Sequence, residues 1–256
     1  MPAVTMESRA WADGPWPLIE TPSKTQDVSK HAAIYIANEM ACAHNCMLRG
    51  LNSIYLQAEQ VQRPADIEDF LTFIKFWASW VSDHHVLEEK QMFPGFEKAI
   101  GFPGFLGNNV EQHHAFESQL KTLLTYGAST KPASYDASAL RGIIEHMAPS
   151  FHQHLSNEID SLLSMQPYNG GALLKVHKQC VATATKQEKQ VVPPMVLGLR
   201  DVTFEGGNQW PSLPPLAEWV INYLFARRHA GAWRFLPCDM WGKPRPLAFG
   251  PTEGEK

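Results

Sequence analysis

Apolar residues recur at helical spacing through the middle of the chain and lose that spacing toward both ends. In one segment Phe70, Ile74, Trp77 and Val81 advance in steps of four and three, which is the spacing of the inward face of a helix. Similar stripes predict four long helices, over residues 28–60, 64–93, 108–127 and 136–165.

Local signals set the predicted ends of these helices. Pro64 suits a first helical turn, whereas Pro94 and the segment 101–104 predict a break after the second helix. Asn108 and Glu111 have the spacing of a capping box at the start of the third helix. Because the connections are short, neighbouring helices should be antiparallel, and we predict an all-α, up-down-up-down four-helix bundle.

Proline divides the chain into three zones. Residues 1–27 contain four prolines, residues 28–165 five and residues 166–256 ten, so long helices belong in the middle zone. We therefore predict an extended N-terminal segment, a bundle domain over 28–165 and a Pro/Trp-rich, partly helical C-terminal extension. Within that extension helices are predicted over 172–188 and 215–229, and the aromatic tail is expected to pack on the bundle.

Composition narrows the function. The chain has 256 residues, with 22 basic and 26 acidic side chains and a net charge of −4, and it has no basic run that would indicate nucleic-acid binding. No apolar run approaches the length of a membrane span, and no secretory signal is visible. Four cysteines make no disulfide framework in a chain this long, so we expect a cytoplasmic protein with no membrane or nucleic-acid partner.

Histidine and glutamate form a duplicated pattern. A histidine on one predicted helix is followed about 40 residues later by His-x-x-x-Glu on the next, and this unit occurs twice. Residues four apart share one helix face, so two such hairpins can face each other across the bundle. The first copy consists of His44, His84 and Glu88, and the second of His113, His154 and Glu158.

The apolar stripes select among neighbouring histidines. His84 and Glu88 continue the inward stripe of the second helix, whereas His85 lies on a weaker stripe and is predicted not to bind metal. His114 aligns with polar positions and should face outward, and His152 should be peripheral.

Buried imidazoles and carboxylates need partners. A single His-x-x-x-Glu is typical of a buried hydrogen-bonded pair, but the repeated set favours a metal because an uncompensated buried carboxylate is costly. Six such groups exceed what one tetrahedral zinc needs, so a two-metal site with bridging carboxylates fits better. A ferritin-like site needs Glu-x-x-His on two helices, and only Glu111 and His114 match.

The segment 84–94, HHVLEEKQMFP, resembles the HxxxEExxxFP signature of hemerythrin-like, HHE cation-binding domains. The resemblance covers roughly residues 28–165, and the flanking Trp- and Pro-rich segments are similar to extensions of fungal hemerythrin-like proteins. It implies a non-haem di-iron centre that reacts with O2. By position the four histidines of the duplicated pattern would be terminal ligands, and Glu88 and Glu158 would bridge the two iron ions.

One position departs from the O2-carrying members of that family, which have a second histidine four residues after the first on the third helix. Here that position is Glu117. If Glu117 is a ligand, its charge favours ferric iron and irreversible O2 activation. If it is not a ligand, one iron coordination position stays open, and in either case a site remains for O2. We therefore predict a di-iron, O2-dependent oxidoreductase that acts on a small organic substrate, with electrons from that substrate or an external donor. The alternative is a non-enzymatic carrier or sensor of O2 or nitric oxide, or an iron-binding regulator.

Overall fold

The computed structural model describes residues 11–250. Over these residues the fold is all-α, as predicted, and the described residues form no strand beyond one isolated bridge between Cys238 and Pro244. None of the described helices is both long enough and apolar enough to span a membrane. The α-helices are α1 Ala32–Gln57, α2 Pro64–Leu87, α3 Phe93–Ile100, α4 Gly107–Ser129, α5 Ala137–Leu163, α6 Gly170–Ala184, α7 Val192–Leu199 and α8 Ala217–Val220.

Helices α1, α2, α4 and α5 form a four-helix bundle, in which α4 and α5 run antiparallel. The start of α4 faces the end of α5, where Ser161 donates a hydrogen bond to Asn109. At the other end of this pair the Tyr126 hydroxyl donates to the carbonyl of Asp136. Helices α2 and α4 approach closely at Gly127, where an added Cβ would lie 2.7 Å from the backbone nitrogen of Lys75.

The end of α2 differs from the prediction. A π turn, Glu88–Met92, follows Leu87 and leads directly into α3, so Pro94 does not break the chain. The amide of Phe93 donates to the carbonyl of Glu88, five residues back. Pro94 then falls in the first turn of α3, where a missing N–H is tolerated.

The first residues of two helices also differ from the prediction. Helix α1 begins at Ala32 rather than near 28, after His31 caps it by accepting a hydrogen bond from the amide of Ala33. The predicted capping box of α4 is wrong, because the helix starts at Gly107 and no side chain of its N-cap residue caps it. The carboxylate of Glu97 instead accepts a hydrogen bond from the amide of Leu106.

The segments outside the bundle pack along α1. On the N-terminal side Asn45 and Asn52 hold the backbone of residues 12–19, and Asn45 exchanges hydrogen bonds of 2.8 Å with both backbone groups of Ile19. The predicted extended conformation is wrong for residues 12–17, which form turns, and residues 1–10 of that segment lie outside the described residues. On the C-terminal side Ser53 and Gln57 donate to the carbonyl of Phe235, whose ring is fully buried in the bundle core. Whether residues 28–165 fold as a separate domain stays a prediction.

The C-terminal extension contains more helix than its prolines suggest. Helix α6 packs beside α1, α3 and the π turn, and Thr183 donates to Gln91. Helix α7 was not predicted from the sequence. Pro193 and Pro194 are typical of a loop, but here they lie in the first turn of the helix, where proline is tolerated. The helix predicted over 215–229 is observed over residues 217–229 as one continuous helical segment, in which α8 is followed directly by a second π turn and a 3₁₀ turn.

Candidate metal centre

A layer of polar side chains crosses the bundle between two apolar clusters. On α1 it lies between Ala41, which belongs to one cluster, and Cys46, which belongs to the other. Along α2 and the π turn that follows it, the layer lies between Val81, which belongs to the same cluster as Cys46, and Met92, which belongs to the same cluster as Ala41. The layer contains five histidines and two glutamates, namely His44, His84, His85, Glu88, His113, His154 and Glu158.

The donor atoms of this layer form two adjacent groups. One atom from each of His85, Glu88, His113 and His154 lies within 4.8 Å of the others, and the same holds for a second group of His44, His84 and Glu88. Glu88 belongs to both groups, with Oε1 2.6 Å from His84 Nε2 and Oε2 3.5 Å from His113 Nε2. The layer therefore has room for two cation positions that share a carboxylate.

Glu158 also lies between the groups. Its Oε2 is 3.6 Å from Nε2 of His44, in one group, and 3.4 Å from Nε2 of His154, in the other. The side chains of Glu158, His44 and His154 are completely buried. A carboxylate placed in this way can bridge two cations, as can Glu88.

Many polar atoms of the layer have no hydrogen-bond partner. Both carboxylate oxygens of Glu158, Oε2 of Glu88 and Nε2 of His44 are buried without a hydrogen-bond partner. Oε1 of Glu88 lies 2.6 Å from Nε2 of His84, but this short contact does not have the geometry of a hydrogen bond. Leaving a buried polar atom unpaired costs about 1–3 kcal/mol, and more if the group is charged. Bound cations would satisfy these lone pairs, and imidazole with carboxylate suits iron, zinc or manganese. The residues therefore fit a metal centre.

Two histidines are held by hydrogen bonds on their outer nitrogens. His113 Nδ1 lies 2.7 Å from Oε1 of Glu89, and His44 Nδ1 lies 2.9 Å from the carbonyl of Leu155. We assign the ring hydrogen to Nδ1 in both, because the backbone carbonyl oxygen of Leu155 and the carboxylate oxygen of Glu89 act as acceptors. This tautomer directs the Nε2 lone pairs into the layer, which is the arrangement that orients histidine ligands of metals.

Burial sets the charge of these groups. Desolvation lowers the pKa of His44 to about 3 and that of His84 to about 4, and it lowers the pKa values of His113 and His154 as well. The rings are therefore neutral near pH 7 and can bind metal. Desolvation, and then the charge of Glu158, raises the pKa of Glu88 well above its usual range. A cation would reverse this effect and keep Glu88 ionised.

The structure brings together six of the seven predicted ligands. His44, Glu88, His113, His154 and Glu158 are buried in the layer, and the side chain of His84 is 17% exposed at its edge. Glu117 is not with them, because its side chain is exposed while Phe116 occupies the inward position on that turn of α4. That these side chains bind metal stays a prediction.

His85 is the residue that the sequence argument misplaced. It was predicted to lie off the inward face, yet only 5% of it is exposed and its ring packs 4.6 Å from that of His113, measured between centroids. The stripe argument assumed one inward direction for α2. The helix faces both α1 and α4, so two adjacent residues both point into the bundle. The adjacent histidines His84 and His85 were the sequence signal that could have indicated two inward-facing imidazoles on α2.

The remaining alternatives fit less well. His114 is exposed as predicted, and so is Glu111, so a ferritin-like pair is not formed by these residues. His152 Nε2 lies 2.8 Å from the carbonyl of Pro17, at the periphery. The four cysteines are unpaired and buried, and burial raises the pKa of the Cys42 thiol to about 12, so it stays protonated.

Comparison with known proteins identifies the family of this chain. The family model of the hemerythrin HHE cation binding domain matches residues 36–165, and this chain belongs to that family. The chain is also similar to "Dimeric xanthone biosynthesis cluster protein R11" of Cryptosporiopsis sp. (strain 8999). The two are 36% identical over 265 residues, which covers 100% of this chain and 99% of that protein. No solved structure matches the chain.

Proposed function

We propose that this protein is a non-haem di-iron protein that binds and activates O2, as an oxidase or oxygenase of a small organic substrate. The observation that carries the proposal is the pair of donor groups that share Glu88, with Glu158 reaching a histidine of each. One zinc would leave about half of these donors unused. Two ions with carboxylate bridges use all of them, and this donor set suits iron.

The side chains of the layer prepare the centre for this chemistry. Ferrous ions bound here would supply electrons to O2. Glu89 holds the Nδ1 hydrogen of His113 and so fixes that ring, and Leu155 does the same for His44. The apolar clusters on both sides exclude water from the layer. Electrons for further turnover would come from the substrate or from an external donor.

The relative gives a direction for the substrate. Its name assigns it to a cluster for dimeric xanthone biosynthesis. By extension, we propose that this chain acts in the biosynthesis of an aromatic small molecule of the xanthone type. We also propose that it acts in the cytoplasm, where its four free cysteines would stay reduced.

A second candidate is a carrier or sensor of O2 or nitric oxide. The observation that favours it is the burial of the donors, which leaves only the His84 edge partly exposed among the ligands of the two groups. Such enclosure admits a diatomic gas more readily than a large aromatic molecule.

One experiment separates the two candidates. The di-ferrous protein is prepared without oxygen, O2 is admitted, and the visible spectrum is followed in time. We expect a transient absorption band that decays to di-ferric iron and does not return without a reductant. A band that persists and disappears each time O2 is removed would contradict O2 activation and support the carrier. Iron analysis that finds no bound iron would exclude both.

A further inference from the structure

We propose that His85 is itself a metal ligand, and that it supplies the second cation position with an imidazole from α2. This inference rests on the proposed two-metal function of the layer. It extends that function by assigning the histidine that follows His84 to a different metal position from His84. The duplicated sequence pattern leaves His85 without a role.

The surroundings of His85 argue against a merely structural role. Both of its ring nitrogens are buried and lack a hydrogen-bond partner. The ring packs against the apolar rings of Phe116 and Phe151, with centroids 5.1 and 6.1 Å away. A neutral imidazole always carries one N–H, and burying it unpaired costs about 1–3 kcal/mol. A phenyl ring would fill the same space without that cost, so the nitrogen atoms need another explanation.

The geometry places His85 with one group of donors and His84 with the other. A donor nitrogen of His85 lies within 4.8 Å of donor atoms of Glu88, His113 and His154. The ring of His84 instead packs against His44, with centroids 5.7 Å apart. Adjacent residues of a helix point about 100° apart, so one can face α1 while the next faces α4.

A ligand role for His85 also compensates for the absence of a second inward-facing metal ligand on α4. One helical turn after His113, α4 presents Glu117 to the exterior and Phe116 to the interior. Without His85, the group near His113 would contain two imidazoles and the shared carboxylate. With His85 it has three imidazoles and that carboxylate, which is enough to hold one cation and leave positions open for exogenous ligands.

The test is a metal titration of His85→Phe in the full-length protein. The unmodified protein should bind two ferrous ions per chain, measured by elemental analysis and by anaerobic titration. His85→Phe should bind one with unchanged affinity and the second at least about 100-fold more weakly. Glu117→Ala and His114→Phe are the controls, and both should retain two ions because these side chains are exposed. X-ray absorption at the iron edge should show fewer imidazoles per iron in His85→Phe.

Thermal unfolding of the metal-free proteins separates a lost ligand from a lost fold. Metal-free His85→Phe should unfold at or above the temperature of the unmodified protein, because two unpaired nitrogens are removed. His85→Gly provides a second variant, in which added imidazole should restore the second ion.

The outcomes distinguish this inference from the proposed function. Full binding of two ions by His85→Phe, or no effect of imidazole on His85→Gly, would overturn the assignment of His85 alone. Loss of the second ion in Glu117→Ala but not in His85→Phe would also overturn it and would favour Glu117. Fewer than two ions in the unmodified protein would instead refute the two-metal centre.

Discussion

The two halves of the duplicated pattern have nearly the same sequence spacing and different structures. His44 and His84 are 40 residues apart, and His113 and His154 are 41 apart. In the second half His154 and Glu158 lie in the uninterrupted α5, and both are completely buried. In the first half the glutamate lies at the start of a π turn, and the side chain of His84 is partly exposed.

The difference shows that equal spacing does not give equal environments. Helix α2 carries two adjacent histidines into the layer, whereas α5 carries one. π turns within helices are frequent at functional sites, and this one starts at the carboxylate that both donor groups share. We infer that the donor layer is asymmetric because α2 contributes two adjacent histidines and ends in a π turn, whereas α5 contributes one histidine from a regular helix.

The largest expected effect is a loss of bound iron when either of the two buried carboxylates, Glu88 or Glu158, is replaced. Glu158→Gln should reduce bound iron from two to one per chain, because an amide bridges two cations poorly. Glu88→Gln should reduce it further, because Glu88 belongs to both donor groups. Elemental analysis measures both, with the exposed Glu111→Gln as a control that keeps its iron. Full iron in Glu158→Gln would refute the bridging role of that residue.

The next comparison tests how closely each half packs. At Gly50 on α1 an added Cβ would lie 2.2 Å from the ring of Trp77 on α2, whereas at Gly142 on α5 nothing lies within 4 Å. Gly50→Ala should therefore lower the free energy of unfolding by about 1–3 kcal/mol through overpacking. Gly142→Ala should raise it by about 0.5–1 kcal/mol. Denaturant unfolding of the metal-free protein measures both, and equal effects would show that the packing difference is absent.

Proline gives a smaller contrast between the halves. Pro149 lies inside α5 and is exposed, whereas Pro94 lies in the first turn of α3 after the π turn. Pro149→Ala should raise the free energy of unfolding by about 1–2 kcal/mol, because it restores a helical N–H. Pro94→Ala should change it much less. A larger gain from Pro94→Ala would mean that the π turn is strained by its proline.

The last comparison, of an effect similar in size to that of Pro149→Ala, contrasts the half-buried Glu39 on α1 with the exposed Glu111 on α4. Desolvation raises the pKa of Glu39 on α1 to about 7, against a hydrogen bond from Trp210 that lowers it. The folded protein then holds a proton that the unfolded chain releases near pH 4.5, so stability falls as pH rises from about 4.5 to 7. Above that window the loss is constant.

Glu39→Gln removes the ionisation and leaves an acceptor for Trp210. It should raise the free energy of unfolding by about 1–2 kcal/mol at pH 8 and change it little at pH 5. Glu111→Gln, on the exposed face of α4, should show no such pH dependence. An identical gain at both pH values would show that Glu39 is ionised in the folded protein throughout.

Helical periodicity was sufficient to predict the bundle and most of the layer. His113 and His154 each lie on a helix with one dominant buried face, so counting in steps of three and four gave the right orientation. His44 lies on α1, which is buried on almost all sides, so its burial did not depend on the choice of stripe. The same method failed for His85, because α2 contacts helices on two sides. An apolar stripe that is defined for one contact side of a helix wrongly classifies residues on the second contact side as outward-facing.

Other features depend on contacts that sequence spacing does not contain. The π turn has no local sequence signal beyond Pro94, and a proline at that position predicts a chain break equally well. The exposure of Glu117 follows from the position of Phe116, whose ring packs 5.5 Å from that of His154 and leaves the next residue outside. Both depend on how α2, α4 and α5 fit together.

The burial of the donor layer has a consequence for how metal enters the protein. Because Glu88 and Glu158 are almost completely enclosed, a cation should exchange with solvent much more slowly than it collides with the protein surface. Exchange must wait for a local opening, and the edge formed by His84 and Glu89 is where the layer is least covered. Metal uptake and release should therefore be slow in the folded protein.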